Sequence, residues 1–437
     1  MMIPLPDAFV SRMSRQLGKE LPDFLHALEQ KPLRGIRINE FKTFDGIEKY
    51  TAGKRIPWAE NGWLLKDDSL AGSTVFHEAG AFYLQEPAAM LPAEIMDIHP
   101  GERVLDLCAA PGGKSTQMAL KLRGEGLIVC NEPIMKRAQI LSRNIERMGI
   151  PNSVVTCSYP DQLPLSWNGM FDGVLVDAPC SGEGMFRRDP ETRKEWTAAQ
   201  AAGCAQRQAE ILHEAARFVR PGGRLVYSTC TYNPEENEQN VRRFLEDNPE
   251  FFPEPFVLGG ADGRKGMFLC MPHRLPGEGQ FAAKLRRTGQ SKKQRLCGIL
   301  PKLSGEEAEV FKASFPYLPV PDFKFGSIMI QIPEIPDLKG VRVLRAGLHL
   351  GCFKGKNVVP DHAAALSIFA DRTAPQTEIG DGEMSSYIAG SEIERDTEGW
   401  TLIKYKGIYI GWGKGSDGRI RNHYPKALRK GRILAAP

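Results

Sequence analysis

Between Arg103 and Ser228, short apolar runs alternate with stretches of helical periodicity, and no other feature of the chain restricts its fold so strongly. The runs are Arg103-Val-Leu-Asp-Leu107, Leu127-Ile-Val-Cys-Asn-Glu132, Ser153-Val-Val-Thr-Cys157, Gly173-Val-Leu-Val-Asp177 and Arg224-Leu-Val-Tyr-Ser228. Each is apolar on successive rather than alternate residues, so each predicts a strand covered on both faces. Between them the spacing predicts helices over 114–123, 134–148 and 198–219, the last with Ile211, Leu212, Ala215 and Phe218 at helical spacing. Such an alternation implies an α/β core built on a parallel sheet. Ligands of such sheets bind at the carboxyl ends of the strands, so the residues just after each run are the functional candidates.

The segment Asp106-Leu-Cys-Ala-Ala-Pro-Gly-Gly-Lys-Ser115 follows the first run and opens a helix. Gly113-Lys114-Ser115 matches the end of a Walker phosphate loop, but the earlier glycine of that loop falls on Cys108, which excludes it. What is left is a turn of small residues that lets a ligand approach the backbone. Glu132 ends the second run 20 residues beyond Gly112, a spacing that suits a carboxylate on a ribose hydroxyl pair. On geometry alone this is either the site of a nucleoside-containing cofactor or a tight strand-to-helix connection.

Nine cysteines at wide spacing, without a Cys-x-x-Cys pair, indicate neither a disulfide framework nor a zinc site. By default each is a small buried apolar residue. Two of them have a more specific context. Asp177-Ala-Pro-Cys180-Ser-Gly-Glu-Gly follows the fourth run and Ser228-Thr-Cys230-Thr-Tyr-Asn-Pro the fifth, so two thiols and an acid are expected at one ligand edge. A thiol, a carboxylate and a sulfonium cofactor together suit methylation of carbon 5 of a cytosine. A thiolate added to carbon 6 makes carbon 5 enamine-like, and an acid near ring nitrogen 3 stabilises the developing charge. Loss of the carbon 5 proton and expulsion of the thiolate restore the ring, a step that a second thiol can assist.

Leu107-Cys-Ala-Ala-Pro-Gly-Gly-Lys114, Asp177-Ala-Pro-Cys-Ser-Gly182 and Tyr227-Ser-Thr-Cys-Thr231 resemble the signature motifs of the RNA (cytosine-5) methyltransferases, a family with two active-site cysteines. The resemblance implies a Rossmann-like S-adenosylmethionine-dependent methyltransferase core. It implies that Cys230 is the nucleophile, that Cys180 assists product release, that Asp177 contacts the base near the methyl donor, and that Lys114 belongs with the catalytic group. It also implies a cofactor pocket lined by Cys108, Ala109, Ala110, Pro111, Gly112, Gly113, Lys114, Glu132 and Asp177. The family commonly places an Asp just after the third strand for the adenine end of the cofactor. Here Thr156-Cys-Ser-Tyr-Pro-Asp161 delays the first acid, so either Asp161 or a backbone group takes that place.

Phe82-Tyr-Leu-Gln-Glu-Pro87 and Pro272-His-Arg-Leu-Pro-Gly-Glu-Gly-Gln-Phe281 resemble further segments of the same family. Ala346-Gly-Leu-His-Leu-Gly351, Gly411-Trp-Gly-Lys414 and Asn422-His-Tyr-Pro-Lys426 resemble the carboxyl-terminal modules of the F group of bacterial small-subunit ribosomal RNA methyltransferases, which include a PUA-like RNA-binding domain. The expected organisation is an N-terminal RNA-binding domain at 1–85, the methyltransferase core at 86–295, an intermediate domain at 300–370 and a PUA-like domain at 375–437. Joints are expected at Ile332 to Leu338 and Thr377 to Glu383.

The net charge of +4 is unevenly spread. From Thr401 to Pro437 there are nine Lys and Arg against one acid, Asp417, and Lys284 to Arg295 holds six basic residues and no acid. Charge concentrated in this way suits a polyanionic partner. Tyr405, Tyr409, Trp412 and Tyr424 are interleaved with the basic tail as rings on which bases can stack, although for Tyr409 and Trp412 a place in a small core is the expectation. The composition, 42% hydrophobic and 25% charged over 437 residues, is that of an ordinary globular chain of two to four domains. With no apolar run of ~18 residues and no signal-peptide pattern, a cytoplasmic monomer without membrane or metal is expected.

The expected function is therefore transfer of a methyl group from S-adenosylmethionine to carbon 5 of a cytosine in small-subunit (16S) ribosomal RNA through a Cys230–carbon 6 adduct. The partner is ribosomal RNA or the small ribosomal subunit. Transfer RNA is the alternative substrate, and a non-catalytic ribosome-assembly factor the alternative class. The presence of both cysteines, Asp177 and Lys114 gives no support to the latter.

Overall fold

A computed structural model describes residues 3–66, 70–368, 374–430 and 433–434. The five apolar runs form β1 (Arg103–Asp106), β2 (Leu127–Asn131), β3 (Ser153–Thr156), β4 (Phe171–Asp177) and β5 (Val219–Thr229). The intervening helices are α1 (Gly113–Lys121), α2 (Met135–Met148) and α3 (Ala198–Phe218). The strands pair in parallel in the order β3-β2-β1-β4-β5. Successive residues point to opposite faces, and both faces are covered as the runs require. Val104, Ile128, Val155 and Leu175 pack with Met118, Leu141 and Ile145 of α1 and α2. Leu105, Val129, Val154 and Val174 pack with Leu212, Ala215 and Phe218 of α3 on the other side. Helix α2 stops at Gly149, whose φ of 76° and close approach to the Leu366 carbonyl both require the missing side chain.

Chain order reverses beside β1, because β2 and β3 lie on one side of it and β4 and β5 on the other. The crevice of the sheet therefore opens between the carboxyl ends of β1 and β4. Pairing brings Asp177 level with Ser228, so register alone delivers the acid and the segment bearing Cys230 to the same edge. Two more strands, β6 (Met267–Cys270) and β7 (Gln280–Arg287), extend this side in antiparallel fashion, with Phe281 opposite Thr229. At the far edge β8 (Val343–Ala346) pairs antiparallel with β3. The segment expected to form a separate intermediate domain thus contributes a strand to the core sheet.

Two N-terminal helices, Asp7–Leu17 and Leu21–Glu29, bury Phe9, Met13, Phe24 and Leu28 against Phe186, Trp196, Tyr232 and Met271. The Phe24 and Tyr232 rings meet edge to face at 5.1 Å. A fully buried Phe contributes about 1.5–3 kcal/mol, and these contacts back the chain just after Cys230. Farther along, Ile36, Phe44 and Phe76 share a core with Tyr387, Ile403 and Tyr405, so the two ends of the chain pack together.

Several sequence expectations are corrected. Thr377 to Glu383 is no joint: Gln376–Glu378 is a strand of the five-stranded C-terminal sheet, and Asp381–Ala389 is a helix. Two of the three acids that gave the segment its linker composition, Asp381 and Glu383, are helix-start residues, with Glu383 accepting from the Gly380 N–H. Tyr405 and Tyr424 are buried, as Trp412 is, which removes them as stacking platforms. Tyr409 is half-buried and reaches Gln376. The basic run from Lys284 is largely neutralised. Lys284 and Arg286 share Glu254, Arg287 faces Glu250, and Lys293 faces Glu334. Arg432 of the basic tail lies outside the described residues. Among the described residues no helix is long and apolar enough to cross a membrane.

Candidate active site

The turn after β1 is clamped from several sides. Ala109 N–H donates to the Asn131 carbonyl at 2.8 Å, Arg137 Nη2 to the Ala110 carbonyl at 3.1 Å, and Asn144 Nδ2 to the Pro111 carbonyl at 2.8 Å. From the N-terminal segment, Arg37 Nη2 donates to the Gly113 carbonyl at 3.0 Å and the Thr116 hydroxyl at 2.8 Å. Gly112 takes a φ of 110°, a conformation that a side chain would strain, and α1 starts at the next residue. Cys108 to Gly113 thus form a stiff, small-residue wall at the mouth of the crevice.

Acceptors dominate this wall. Asp106 Oδ2 accepts from Ser115 Oγ at 2.6 Å, while its buried Oδ1 has no partner among the described residues. Burial, helped by the nearby Asp177 charge, pushes the Asp106 carboxyl up to about 7. Glu132 lies at the end of β2, where it accepts from Ile134 N–H at 3.0 Å and faces Arg137 at 3.3 Å. Burial raises its pKa. A set of carboxylates with an unpartnered buried oxygen fits a ligand that carries positive centres and hydroxyls, as S-adenosylmethionine does in its ammonium, sulfonium and ribose. Asp161 is exposed on a short turn beyond β3, Pro160–Gln162, while the Ser158 N–H donates to Asn131 Oδ1.

Asp177 is held on both oxygens. Lys114 Nζ donates to Oδ2 at 2.7 Å and Ser228 Oγ to Oδ1 at 2.6 Å, with Gln280 Nε2 at 3.5 Å from Oδ1. Burial alone pushes the Lys114 ammonium down, but the Asp177 carboxylate, with Cys230 and Asp106 adding to it, leaves its pKa above the ordinary value. The two thiols complete the edge. Cys180 Sγ and Cys230 Sγ are 3.1 Å apart, and the Cys230 N–H donates to Cys180 Sγ at 3.3 Å. The Cys230 neighbour, with burial added, lifts the Cys180 thiol well above its usual range.

The structure therefore gathers Cys108 to Lys114, Glu132, Asp177, Cys180 and Cys230 around one crevice. Sequence reading missed Asp106 as a charged group of the pocket, although it ends β1, and Ser228 and Gln280, which touch Asp177. It also missed Arg37 and Arg12. Arg12 makes a 2.6 Å ion pair with Glu183, three residues past Cys180, and no local signal links positions so far apart.

The chain matches the family model described as 16S rRNA methyltransferase RsmB/F over residues 93–286. Models for the N-terminal domain of 16S rRNA methyltransferase RsmF, the RsmF first C-terminal domain and the methyltransferase RsmF PUA domain match 5–87, 319–368 and 374–430. Ribosomal RNA small subunit methyltransferase F of Escherichia fergusonii is 32% identical over 478 residues, covering 98% of each chain. The protein of the same name from an Escherichia coli strain, O17:K52:H18, is 31% identical with the same coverage. Among solved structures, a methyltransferase homolog protein from Pyrococcus horikoshii has a TM-score of 0.55 at 29% identity, over 65% of this chain and 96% of that one. NSun6 from the same organism, solved with SFG, shares the fold with a TM-score of 0.56 at 22% identity, over 65% of this chain and 99% of its own. With this likeness running along nearly its whole length, the chain belongs to the 16S rRNA methyltransferase RsmB/F family, whose members are S-adenosylmethionine-dependent enzymes.

Proposed function

We propose that the protein methylates carbon 5 of a cytosine in small-subunit ribosomal RNA through a covalent bond between Cys230 Sγ and carbon 6. The observation that carries this reading is the pair of thiols 3.1 Å apart at the edge that also presents Asp177 and Lys114. Cys230 adds to carbon 6, which breaks the ring's aromaticity and places electron density on carbon 5. The Lys114 ammonium opposes negative charge on the Cys230 sulfur and orients Asp177 toward the base. When bound, S-adenosylmethionine supplies an electrophilic methyl group to carbon 5. Loss of the carbon 5 proton re-forms the ring double bond and expels the Cys230 sulfur, to which the Cys180 S–H gives a stabilising hydrogen bond. The names of the 32% and 31% identical relatives support small-subunit ribosomal RNA as the substrate. Mapping 5-methylcytosine in RNA from strains with and without the gene is the test. A site lost from small-subunit ribosomal RNA and restored by wild type but not by Cys230→Ala is expected. An unchanged ribosomal RNA map with a site lost from transfer RNA overturns the substrate assignment.

A further inference from the structure

Each catalytic-edge cysteine is followed by a hydroxyl residue, and the two hydroxyls meet. Ser181 Oγ and Thr231 Oγ1 are 2.9 Å apart, both buried. Ser181 donates its own hydrogen to Glu236 Oε1 at 2.5 Å, so in the pair with Thr231 it is the acceptor. Glu236 is wholly buried and takes more than this one bond. Its Oε2 accepts the Ser181 backbone N–H at 2.9 Å and Gln208 Nε2 at 2.9 Å, and Asn233 Nδ2 lies 3.3 Å from Oε1. A single carboxylate from the segment after β5 thus grips the backbone and side chain of the residue next to Cys180, and through Ser181 it reaches the residue next to Cys230. The Gly184 N–H, which donates to the Cys230 carbonyl at 2.9 Å, adds a second tie between the two loops.

We infer that Glu236 is a positioning residue that, through Ser181 and Thr231, holds the Cys180 and Cys230 sulfurs against one another; the inference rests on the two-thiol reading of the site. The Cys180 sulfur accepts from the Cys230 N–H at 3.3 Å, and the residue beside each sulfur is tied, directly or through its neighbour, to one acceptor-only group. The charge pattern requires a carboxylate, because both of its oxygens face donors. In Glu236→Gln the amide –NH2 is set against donors whichever way it turns, although size and shape are kept. A shift of even part of an ångström in a catalytic pair has large kinetic consequences.

The test compares wild type, Glu236→Gln and Ser181→Ala, the last removing the hydroxyl bridge while leaving Glu236 its other partners. The first readout needs no RNA. Each protein is equilibrated with reduced and oxidised glutathione, and the Cys180–Cys230 disulfide is quantified by alkylation and peptide mass mapping. In that exchange the two thiols lose two protons and two electrons, and glutathione disulfide is reduced to two glutathiones. With the clamp loosened, the equilibrium constant should fall about tenfold, as the effective concentration of one thiol at the other drops. The second readout is the covalent RNA adduct on a denaturing gel with S-adenosylmethionine present. Release should slow more than formation, so both variants should show more adduct than wild type. Unchanged disulfide equilibrium and adduct level in a variant that binds S-adenosylmethionine normally would overturn the inference, and Ser181→Ala decides it if Glu236→Gln does not fold. If no protein forms adduct or methylates RNA, the function reading fails on its own, and the glutathione equilibrium still decides whether Glu236 sets the thiol pair.

Discussion

Cys180 Sγ lies 3.1 Å from Cys230 Sγ, and the pKa of Cys180 is driven well upward by that neighbour and by burial. In the proposed mechanism Cys230 forms the bond to carbon 6 and Cys180 assists its release. Cys180→Ala should therefore form the bond to RNA and fail to release it, giving a shifted band on a denaturing gel. Cys230→Ala should give neither turnover nor band. A band from the Cys230 variant, or its absence from the Cys180 variant, reverses the roles.

Glu132 accepts a backbone hydrogen bond and faces Arg137 at the end of β2, where a ribose hydroxyl pair would be gripped. Glu132→Ala should weaken S-adenosylmethionine binding by about 1.5–3 kcal/mol, the usual worth of a hydrogen bond to a charged group. RNA affinity should be nearly unchanged. Titration calorimetry that finds wild-type cofactor affinity removes Glu132 from the pocket.

Asp106 gives the pocket a pH dependence. Its carboxyl titrates at about 7 in the folded protein against an ordinary 3.8. Between those values the folded chain holds a proton that the unfolded chain has released, so this group's contribution to stability falls as pH rises through the window. Cofactor binding should run the opposite way, because the positive centres of an S-adenosylmethionine held near Asp106 would favour its ionised form. Affinity for S-adenosylmethionine should rise from about pH 6 to about pH 8 and then level. In Asp106→Asn that rise should vanish. Calorimetry across a pH series that finds the same rise in the variant assigns it to another group.

Strands β1 to β5 were legible because each is a continuous apolar run buried on both faces, and the motifs that follow them carry Asp177, Cys180 and Cys230 openly. Strand β8 was not. Val343-Leu-Arg-Ala346 has no apolar continuity, and its partner β3 lies far away in sequence. The same limit hid Arg12 and Arg37, whose roles exist only after the N-terminal segment docks on the core. Composition misled at Thr377 to Glu383, where acids that cap a helix look like a linker. It misled again at Lys284 to Arg287, where a basic run meets Glu250 and Glu254 from the two ends of a neighbouring strand, Phe251–Pro253.

The basic tail divides into paired and unpaired charge, and the division predicts which face should meet RNA. Lys404 faces Glu378, Lys406 faces Asp381 and Lys430 faces Glu78. Lys354, Lys414 and Arg421 are exposed and have no carboxylate partner among the described residues. They are neighbours, since burial first, and then the charges of these three residues, lower the His423 pKa. Lys414 is also opposite Arg421 across two strands, with its ammonium 5.6 Å from the centre of the half-buried Trp400 ring. A cluster of free cations beside an aromatic ring has the chemistry to follow a phosphate backbone. Cutting the chain before Pro375 is a poor test, because it would strip the partners of Ile36, Phe44 and Phe76. Substitution is cleaner. Replacing Lys354, Lys414 and Arg421 together by Ala should flatten the slope of log affinity against log salt by about 2 for a single-stranded RNA, as fewer counterions are released. S-adenosylmethionine affinity should not change. Replacing the paired Lys404 and Lys406 should leave the slope nearly as it was, because their charges are already opposed. Filter binding over a salt series that gives equal slopes for wild type and the triple variant would show that this face does not meet RNA.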